Sequence, residues 1–579
     1  MTTFLPHKLL LLLSCVFLLI GCGQADPVED NSGQNVSIQN EALQNESMQN
    51  ELGASKRPNF LLITTDDMGY TDIGAFGGND IPTPNLDKLA LEGLRLTNFH
   101  VSVSCAPTRS MLMSGTGNHE AGMGSQQRYA AFQDQPRYEG YLTSRVASLP
   151  ERMQAAGYHT YMAGKWHLGN TPGSTLPGDR GFERSFALMP GSAHHFKLAD
   201  DMPPPGFPAS AVLRVPYSED GQILDDLPDD FYSTTAYVDK MLEYLKSSES
   251  SEQPFFAWFA PTAPHWPLQV LPEWMETFRG AYDAGYDALC AERQQGAIDA
   301  GVAPDNADYS RCPEEAVPWS ELSEEDRQLN RRTMELYASM VAHLDAEFGR
   351  IITYLEQSGQ LENTYIIYHN DNGPEGGPTF DLRRSEHDHF DNSLENLGNP
   401  NTWVNVGQGW SDAQSAPFRE DKGSSFEGGT RTAAFIRPLN PEESERTSSS
   451  LTMVMDIMPT VMDLAGIQES EFDSNNPDLL PIRGKSFAAL LDNPSQAIHS
   501  AEDPIALDHA GLSWLHQGDW KITRGAANDD NWQLFNTKDD PSETRELSIE
   551  HPELLAELVA VYDDHAQATG ILRREPPTP

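Results

Sequence analysis

The chain has 579 residues, enough for a large hydrophobic core and for two unequal domains. Hydrophobic residues make up 38% of it and aromatic residues 9%, which excludes a chain disordered throughout. The 86 acidic residues exceed the 39 basic ones and give a formal net charge of −47. This field repels nucleic acid and anionic lipid, so we expect neither as a partner. A hydrated surface suited to saline surroundings is the first explanation of the charge, and calcium buffering at the surface is the second.

Residues 1–21 are predicted to be an export signal. Lys8 precedes an apolar run from Leu9 to Ile20, which is too short to span a bilayer and fits a signal peptide. Gly21 and Cys22 end this run and resemble the bacterial lipobox, in which the cysteine is acylated and becomes the new N-terminus. We therefore expect an exported lipoprotein, anchored to a membrane through Cys22 and facing the periplasm or the cell surface. The alternative is an ordinary cleaved signal with an incidental cysteine.

The next segment, residues 22–57, is predicted to be a flexible tether. It is polar, nearly free of aromatic residues, and repeats Gln-Asn-Glu at five-residue intervals from Gln39. Such a composition buries too little apolar surface to fold by itself. We place the main domain at residues 58–495 and a C-terminal subdomain at residues 496–579.

Ordered structure is predicted to begin at Pro58. Four apolar runs have the length and composition of strands buried on both faces: 59–64, 159–163, 255–260 and 364–368. Helix-like stretches lie between them: 84–92, 149–156, 234–246 and 331–354. Strands that alternate with helices predict an α/β fold around a large mixed, mostly parallel sheet with helices on both faces.

The C-terminal subdomain has a different pattern. Short strand-like pieces at 504–508, 518–523 and 532–536 precede a helix-like stretch at 552–566. This order predicts a small α+β unit with a short antiparallel sheet. The acidic stretch 539–543 between them is typical of a turn rather than of a metal site.

Polar clusters follow each of the four predicted strands of the main domain. They are Asp66-Asp67, Lys165-Trp166-His167, Pro264-His265 and Asn370-Asp371-Asn372-Gly373. In open α/β sheets, ligands bind outside the carboxyl ends of the strands. If the strands are parallel, we expect the four clusters to meet at one edge of the sheet and to form a site.

Three carboxylates and an amide in these clusters predict a metal site. Asp66 and Asp67 are adjacent, and burying both is costly unless a cation neutralises them. Asp371 and Asn372 add two further oxygen donors, so the set suits Ca²⁺ or Mg²⁺. An Asp-Asp pair alone is often a solvated turn, and the second pair of oxygen donors favours the metal interpretation.

The segment from Cys105 to Arg109 predicts an electropositive cysteine. Pro107 favours a helix start, which places Cys105 near a helix N-terminus, a position that attracts anions. Arg109 lies four residues further on and can reach back over the same face. Cys105 is therefore a candidate thiolate nucleophile.

The cysteine count also singles out this residue. Apart from the two cysteines of the export segment, the chain contains Cys105, Cys290 and Cys312. An odd number needs a reason in an oxidising compartment. Cys290 and Cys312 could pair and close a loop worth roughly 3 kcal/mol, which would leave Cys105 without a partner; the sequence does not decide whether they do.

Cys-x-Pro-x-Arg at residues 105–109 resembles the motif by which type I sulfatases are recognised for conversion of the cysteine to formylglycine. Further stretches are similar to motifs of the same family and follow in its order: 157–169, His265 within 264–268, 371–373, and Lys422 ahead of 427–431. The resemblance runs from about Pro58 to the C-terminus. The sections 282–350 and 397–422 look most like bacterial arylsulfatases.

This resemblance implies an alkaline-phosphatase-like fold and the hydrolysis of sulfate esters to an alcohol or phenol and inorganic sulfate. Position 105 would be a formylglycine hydrate, made by a formylglycine-generating maturation enzyme. One hydroxyl would attack sulfur to give a sulfated enzyme, and the second would later lose its proton to expel sulfate. One Ca²⁺ would be bound by Asp66, Asp67, Asp371 and Asn372, in contact with residue 105.

The resemblance also implies roles for the basic residues. Lys165, His265 and Lys422 would hold the sulfate and protonate the leaving oxygen. Arg109 and His167 would contact the hydroxyls at position 105, with His167 assisting release. Asp371 is the carboxylate best placed to take the proton of the nucleophile.

Several alternatives stay open from the sequence. The enzyme could be a phosphomonoester or phosphonate hydrolase of the same superfamily, or the chain could be a lipoprotein that binds sulfated glycans without catalysis. The substrate could be an aryl, alkyl or carbohydrate sulfate. His119 and the pair His194-His195 either line the pocket or cap turns, and His387 and His389 lie in a polar loop.

Overall fold

The computed structural model describes residues 57–126, 135–197, 215–305, 312–313, 316–377, 390–439, 441, 446–469, 472, 476–524 and 531–572. The predicted export signal, the tether up to residue 56, His387 and His389 lie outside these residues. No helix within the described ranges is long and apolar enough to cross a membrane.

The main sheet contains ten strands in the described part of the chain, in the order β11-β2-β10-β9-β1-β8-β4-β5-β6-β7. The strands are β1 (Asn59–Thr65), β2 (Leu94–Leu96), β4 (His159–Lys165), β5 (Arg184–Leu188), β6 (Tyr217–Glu219), β7 (Gln222–Ile223), β8 (Phe255–Ala260), β9 (Thr364–Asn370), β10 (Ala434–Arg437) and β11 (Arg446–Ser448). The five central strands, from β9 to β5, are parallel. The mostly parallel, mixed sheet predicted from the sequence is confirmed.

The four apolar runs of the sequence form the centre of this sheet because both of their faces are covered. In β1, Leu61 and Ile63 pack into one hydrophobic core, and Phe60 and Leu62 pack into the core on the opposite face. Every residue of β1 and of β8 is buried. Alternate residues point to opposite faces of a strand, so a continuous apolar run fits a sheet with helices on both sides.

Helices cover the sheet between the strands. Their bounds are α1 (Pro84–Glu92), α2 (Cys105–Ser114), α3 (Asn118–Ala121), α4 (Leu149–Ala155), α5 (Ser233–Ser247), α6 (Tyr286–Asp299), α7 (Glu324–Gln357), α8 (Gln408–Ser415), α9 (Glu427–Thr430) and α10 (Ile457–Leu464). The helix predicted at 331–354 begins earlier, at Glu324. Its extra turns are stabilised by the hydroxyl of Ser323, which accepts a hydrogen bond from the backbone N–H of Asp326.

A separate four-stranded antiparallel sheet forms near the C-terminus. Its strands are β13 (Ile505–His509), β14 (Leu512–Gln517), β15 (Trp520–Arg524) and β16 (Gln533–Asn536), and α11 (Pro552–Thr569) follows. Two short strands, β3 (Phe99–His100) and β12 (Thr452–Met453), pair with each other elsewhere. The predicted small antiparallel sheet is confirmed, whereas the boundary between main domain and subdomain stays a prediction.

The sequence did not predict β14. A two-residue turn of Ala510 and Gly511, both with positive φ, joins β13 to β14. Such tight turns reverse the chain with almost no polar spacer, so the two strands look like one stretch in the sequence.

Cys290 of α6 forms a disulfide with Cys312, and the two Cα atoms lie 5.8 Å apart. The pairing that the sequence left open is therefore present. Cys105 is the free cysteine among the described residues, and it is buried.

Candidate active site

The polar residues that follow the central strands lie together at one edge of the sheet. β1 and β9 are parallel and in register over their full lengths, so Asp66 and Asp371 emerge side by side. Asp66 also forms an isolated parallel bridge with Pro264, just beyond β8. Lys165 is the last residue of β4, one strand further along. The carboxyl ends of the strands thus bring four separate sequence clusters to one place.

Four charged side chains are fully buried here. Nζ of Lys165 lies 2.7 Å from Oδ2 of Asp66. Nε and Nη2 of Arg109 lie 2.8 and 2.7 Å from Oδ2 of Asp371, and Nη1 donates to the carbonyl of Lys165 at 2.6 Å. Burial raises the pKa of Asp371, and the neighbouring Asp66 adds to the shift while Arg109 opposes it. Each buried charge is therefore compensated by an opposite one, as its desolvation requires.

Cys105 begins the helix Cys105–Ser114, with Pro107 in its first turn, as the sequence predicted. Its Sγ atom lies 3.3 Å from Nδ1 of His167. The backbone of His167 has φ 57°, in the left-handed region that residues with a Cβ seldom adopt. Burial lowers the pKa of His167 well below its usual value, and the Lys165 ammonium lowers it further. The imidazole is therefore neutral and can accept a proton from the group at position 105.

Asp67 connects the remaining predicted residues. Its two carboxylate oxygens lie 2.7 and 2.9 Å from Nζ of Lys422, and Oδ1 accepts a hydrogen bond from Nδ2 of Asn372 at 2.7 Å. Nε2 of His265 lies 3.5 Å from Oδ2. Burial raises the pKa of Asp67 to about 7, and Lys422 opposes this shift. Glu375, which the sequence did not single out, lies 3.0 Å from the same ammonium.

Three oxygen atoms at the centre of the site have no hydrogen-bond partner among the described residues. They are Oδ1 of Asp66, Oδ1 of Asp371 and Oδ1 of Asn372, and all three are buried. Leaving so many buried acceptors unsatisfied is costly, and a cation would satisfy them. Ligand atoms of Asp66, Asp371 and Cys105 lie within 4.8 Å of one another. The three unsatisfied oxygens are carboxylate and amide donors, which fit a hard cation such as Ca²⁺.

The weaker histidine candidates have separate positions. Nε2 of His195 lies 2.9 Å from the carbonyl oxygen of His265, so His195 supports the segment that carries the site residue. His194 is buried beside it. Nε2 of His119 lies 3.6 Å from a carboxylate oxygen of Asp508 in β13. These contacts could not be predicted from a local pattern because they join residues far apart in the chain.

Comparison with known proteins identifies relatives over most of the chain. The sequence profile of the family described as Sulfatase matches residues 58–467. An uncharacterized sulfatase of Schizosaccharomyces pombe is 39% identical over 539 residues, 90% of this chain and 95% of that protein. The arylsulfatase of Klebsiella aerogenes is 38% identical over 438 residues, 75% and 92% of the two chains. The crystal structure of a Pseudoalteromonas sulfatase superposes with a TM-score of 0.60 at 19% identity, covering 93% and 94%.

Proposed function

This chain belongs to the sulfatase family and hydrolyses sulfate esters, and we propose that its nucleophile is a formylglycine made from Cys105. One observation carries the proposal: Cys105 begins a buried helix, 3.3 Å from His167 and within one cluster with Asp66 and Asp371. A free thiol has no evident purpose in that place, whereas a converted side chain would face both a proton acceptor and a cation site.

The hydrated aldehyde would supply one hydroxyl that attacks sulfur and a second that later loses its proton and releases sulfate. The chain's own residues manage the protons. Neutral Nδ1 of His167 lies within hydrogen-bonding distance of the side chain at position 105 and can take and return a proton there. Asp371, whose Oδ2 is held by Arg109, is the carboxylate that can take the proton of the attacking hydroxyl.

Three basic side chains are proposed to bind the sulfate group. Lys165 and Lys422 each supply an ammonium. Burial alone would lower the pKa of both lysines, but the carboxylates of Asp66 and Asp67, respectively, raise it above the usual value and keep both side chains charged. His265 lies beside them, next to Asp67. Fixed positive groups aimed at the sulfonyl oxygens and at the leaving oxygen stabilise the negative charge that develops during cleavage.

We propose that Asp66, Asp67, Asp371 and Asn372 bind Ca²⁺, in contact with residue 105. The unsatisfied buried oxygens of three of these residues support this assignment. When bound, the cation supplies fixed positive charge that draws a sulfate oxygen and the nucleophile together. It would also leave Lys165 and Lys422 freer to turn from their carboxylate partners toward the substrate.

Aryl sulfates are the proposed substrate class, because the arylsulfatase of Klebsiella aerogenes covers most of this chain at 38% identity. Alkyl and carbohydrate sulfates are the alternatives within the same chemistry. A phosphomonoester or phosphonate hydrolase is the second candidate function, since the same group of cations can hold either anion. The neutral imidazole beside Cys105 and the two lysines with His265 favour sulfate.

Side-by-side rates on an aryl sulfate and an aryl phosphate test the proposed function, with enzyme produced together with its maturation enzyme. We expect faster sulfate hydrolysis and its loss in Cys105→Ala. The double variant Cys290→Ala/Cys312→Ala is the matched control, because it removes two cysteines without touching the site. Faster phosphate hydrolysis would support the second candidate, and binding of sulfated glycans without turnover would support a non-catalytic lipoprotein.

We also propose that the chain is exported and anchored through an acylated Cys22. The apolar run and the lipobox-like end support this proposal. Labelling with a radioactive fatty acid should mark the wild-type chain and fail to mark Cys22→Ser. Equal labelling of both chains would contradict the anchor.

A further inference from the structure

A second group of buried titratable side chains connects β3 and α9 with the C-terminal sheet. It consists of Glu427, His100, His516, Lys521 and Glu543, here called the Glu427 cluster. None of the three groups around the Glu427 carboxylate is more than 2% exposed. The roles proposed above for sulfate ester hydrolysis do not use any of these residues.

The Glu427 carboxylate is the centre of this cluster. Nε2 of His100 lies 3.2 Å from both of its oxygens, and Oε1 lies 2.8 Å from Nζ of Lys521 and 3.3 Å from Nε2 of His516. Glu543 completes the group: its Oε2 accepts from the backbone N–H of Glu427 at 2.7 Å, and its Oε1 lies 2.9 Å from Lys521. Burial raises the pKa of Glu427, but Lys521 and His100 more than reverse this and hold it well below its usual value.

These contacts do not describe a second metal site. Two imidazoles and a carboxylate could bind a transition metal. However, both oxygens of the Glu427 carboxylate already have partners among the described residues, His100 at each oxygen and Lys521 at Oε1. In the candidate active site, by contrast, buried carboxylate oxygens of Asp66 and Asp371 have no hydrogen-bond partner, so the Glu427 carboxylate does not need a metal to satisfy it.

The Glu427 cluster lies close in the chain to Lys422 and to Cys105. Glu427 lies five residues after Lys422, and His100 lies five residues before Cys105. The two segments also pair directly through their backbones, since the N–H of Gly423 donates to the carbonyl of Val103 at 2.9 Å. A shift of Glu427 would therefore move the lysine and the nucleophile relative to each other.

The backbone around Glu427 is packed too closely to absorb such a shift. A Cβ atom on Gly428 would lie 2.0 Å from the carbonyl oxygen of Glu420, and one on Gly373 would lie 2.0 Å from the carbonyl oxygen of Gly428 itself. Glycine is required at such close approaches. Gly373 directly follows the proposed ligand Asn372, so the segment carrying Glu427 also packs against the metal-binding loop.

From this arrangement we propose that Glu427 is a positioning residue, through which the C-terminal sheet fixes Lys422 against the nucleophile at position 105. The proposal rests on the proposed function, because it assigns Lys422 to the sulfate. Lys521 and His516 come from β15 and β14, so the second sheet contributes to catalysis without supplying a group that touches substrate. This role explains the presence of a buried ion pair at a place where an apolar contact would have a smaller desolvation cost.

The experiment is a double-mutant cycle between Glu427 and Lys422 on fully matured enzyme. Glu427→Gln keeps the shape of the side chain and removes its charge. We expect kcat/KM for an aryl sulfate to fall roughly tenfold in the Lys422 background and to stay unchanged in the Lys422→Ala background. Leu558→Ala, in the core of the C-terminal sheet, is the matched control: it should lower Tm without lowering kcat/KM at a temperature where the protein is folded.

Affinity for inorganic sulfate provides a readout that does not depend on turnover. We expect Glu427→Gln to weaken sulfate binding in calorimetry and Leu558→Ala to leave it unchanged. If Glu427→Gln does not fold, Lys521→Met is used instead, since this change removes the ammonium of the C-terminal sheet that contacts the Glu427 carboxylate. Additive effects of Glu427→Gln and Lys422→Ala on kcat/KM would overturn the proposal. So would an equal loss of kcat/KM or of sulfate affinity in a Leu558→Ala variant that has the same Tm as Glu427→Gln. If the wild type binds sulfate but does not cleave sulfate esters, the proposed function is contradicted. The double-mutant cycle would then be evaluated from the sulfate affinities of the same variants instead of from kcat/KM.

Discussion

Nζ of Lys165 lies 2.7 Å from Oδ2 of Asp66, and both side chains are fully buried. One residue is proposed to hold sulfate and the other to hold the cation, so the two binding sites share a contact. A cation on Asp66 would weaken this ion pair and release the ammonium for substrate. Metal and substrate should therefore bind cooperatively, each favouring the arrangement that the other needs.

Removal of either lysine proposed to bind sulfate should slow hydrolysis strongly. For Lys165→Ala and for Lys422→Ala we expect kcat/KM on an aryl sulfate to fall about 10²-fold or more, because each removes a fixed positive charge from a water-excluded site. Lys538→Ala is the control, since its ammonium pairs with Asp519 at the surface. Initial rates at several substrate concentrations give the comparison, and wild-type kcat/KM in Lys165→Ala would contradict the assignment.

Calcium removal should inactivate the enzyme reversibly. Chelation leaves the buried oxygens of Asp66, Asp371 and Asn372 without a partner, so we expect loss of both activity and stability, with recovery on adding Ca²⁺. A ligand at 100 times its Kd stabilises a protein by about 2.7 kcal/mol, which thermal unfolding with and without Ca²⁺ would detect. Asp371→Asn should bind Ca²⁺ more weakly. Full activity after exhaustive chelation would exclude an essential cation.

The central fold could be predicted from the sequence because its strands are buried on both faces. The run 59–64 is apolar from Phe60 to Ile63, on both of its faces, and it lies within β1. The strands outside the centre of the sheet could not be predicted in this way. β6 and β7 are two to three residues long, and β10 runs antiparallel between β9 and β2. Such elements are fixed by long-range pairing rather than by a local pattern.

The site shows the same division. Asp66, Lys165 and Asp371 could be located because each stands at the end of an apolar run, where the topology of a parallel sheet gathers residues. Glu375 could not be located, and although the sequence singled out His194-His195 and the stretch 427–431, the contacts of His195 and Glu427 could not be predicted. Glu427 meets Lys521 across 94 residues, and no spacing along the chain records such a contact.

Stability should fall as the solution becomes acidic. Burial lowers the pKa of His119 and of His516 to about 3, from a usual value of 6.5. Between these values the unfolded chain binds protons that the folded chain does not, so stability is fully present above pH 6.5 and is lost as the pH falls. Each histidine contributes a slope of about 1.4 kcal/mol per pH unit.

Urea unfolding at pH 7.5, 6 and 5 measures this slope in the wild type and in His119→Gln. The variant should show the shallower dependence, since it cannot bind the extra proton when unfolded. Lys538→Gln is the control and should keep the wild-type slope. Equal slopes in His119→Gln and in the wild type would show that this histidine does not contribute to acid sensitivity.

The disulfide should stabilise the fold without serving catalysis. Cys290 and Cys312 are 22 residues apart, and a closed loop of this size is worth about 3 kcal/mol of unfolding free energy. Cys290→Ala/Cys312→Ala should therefore unfold at lower urea and cleave an aryl sulfate at the wild-type rate when folded. A lost rate in a folded double variant would assign the bond a role at the site.

Position 105 of the active enzyme is proposed to be a formylglycine. Mass spectrometry of the peptide that contains this residue distinguishes the aldehyde from the thiol, in protein produced with the maturation enzyme and in protein produced without it. We predict the mass of the aldehyde, with sulfur replaced by oxygen and two hydrogens lost, in the first sample alone, and sulfatase activity in proportion to its fraction. Full activity in a sample whose residue 105 is entirely an unmodified cysteine would show that formylglycine is not the nucleophile.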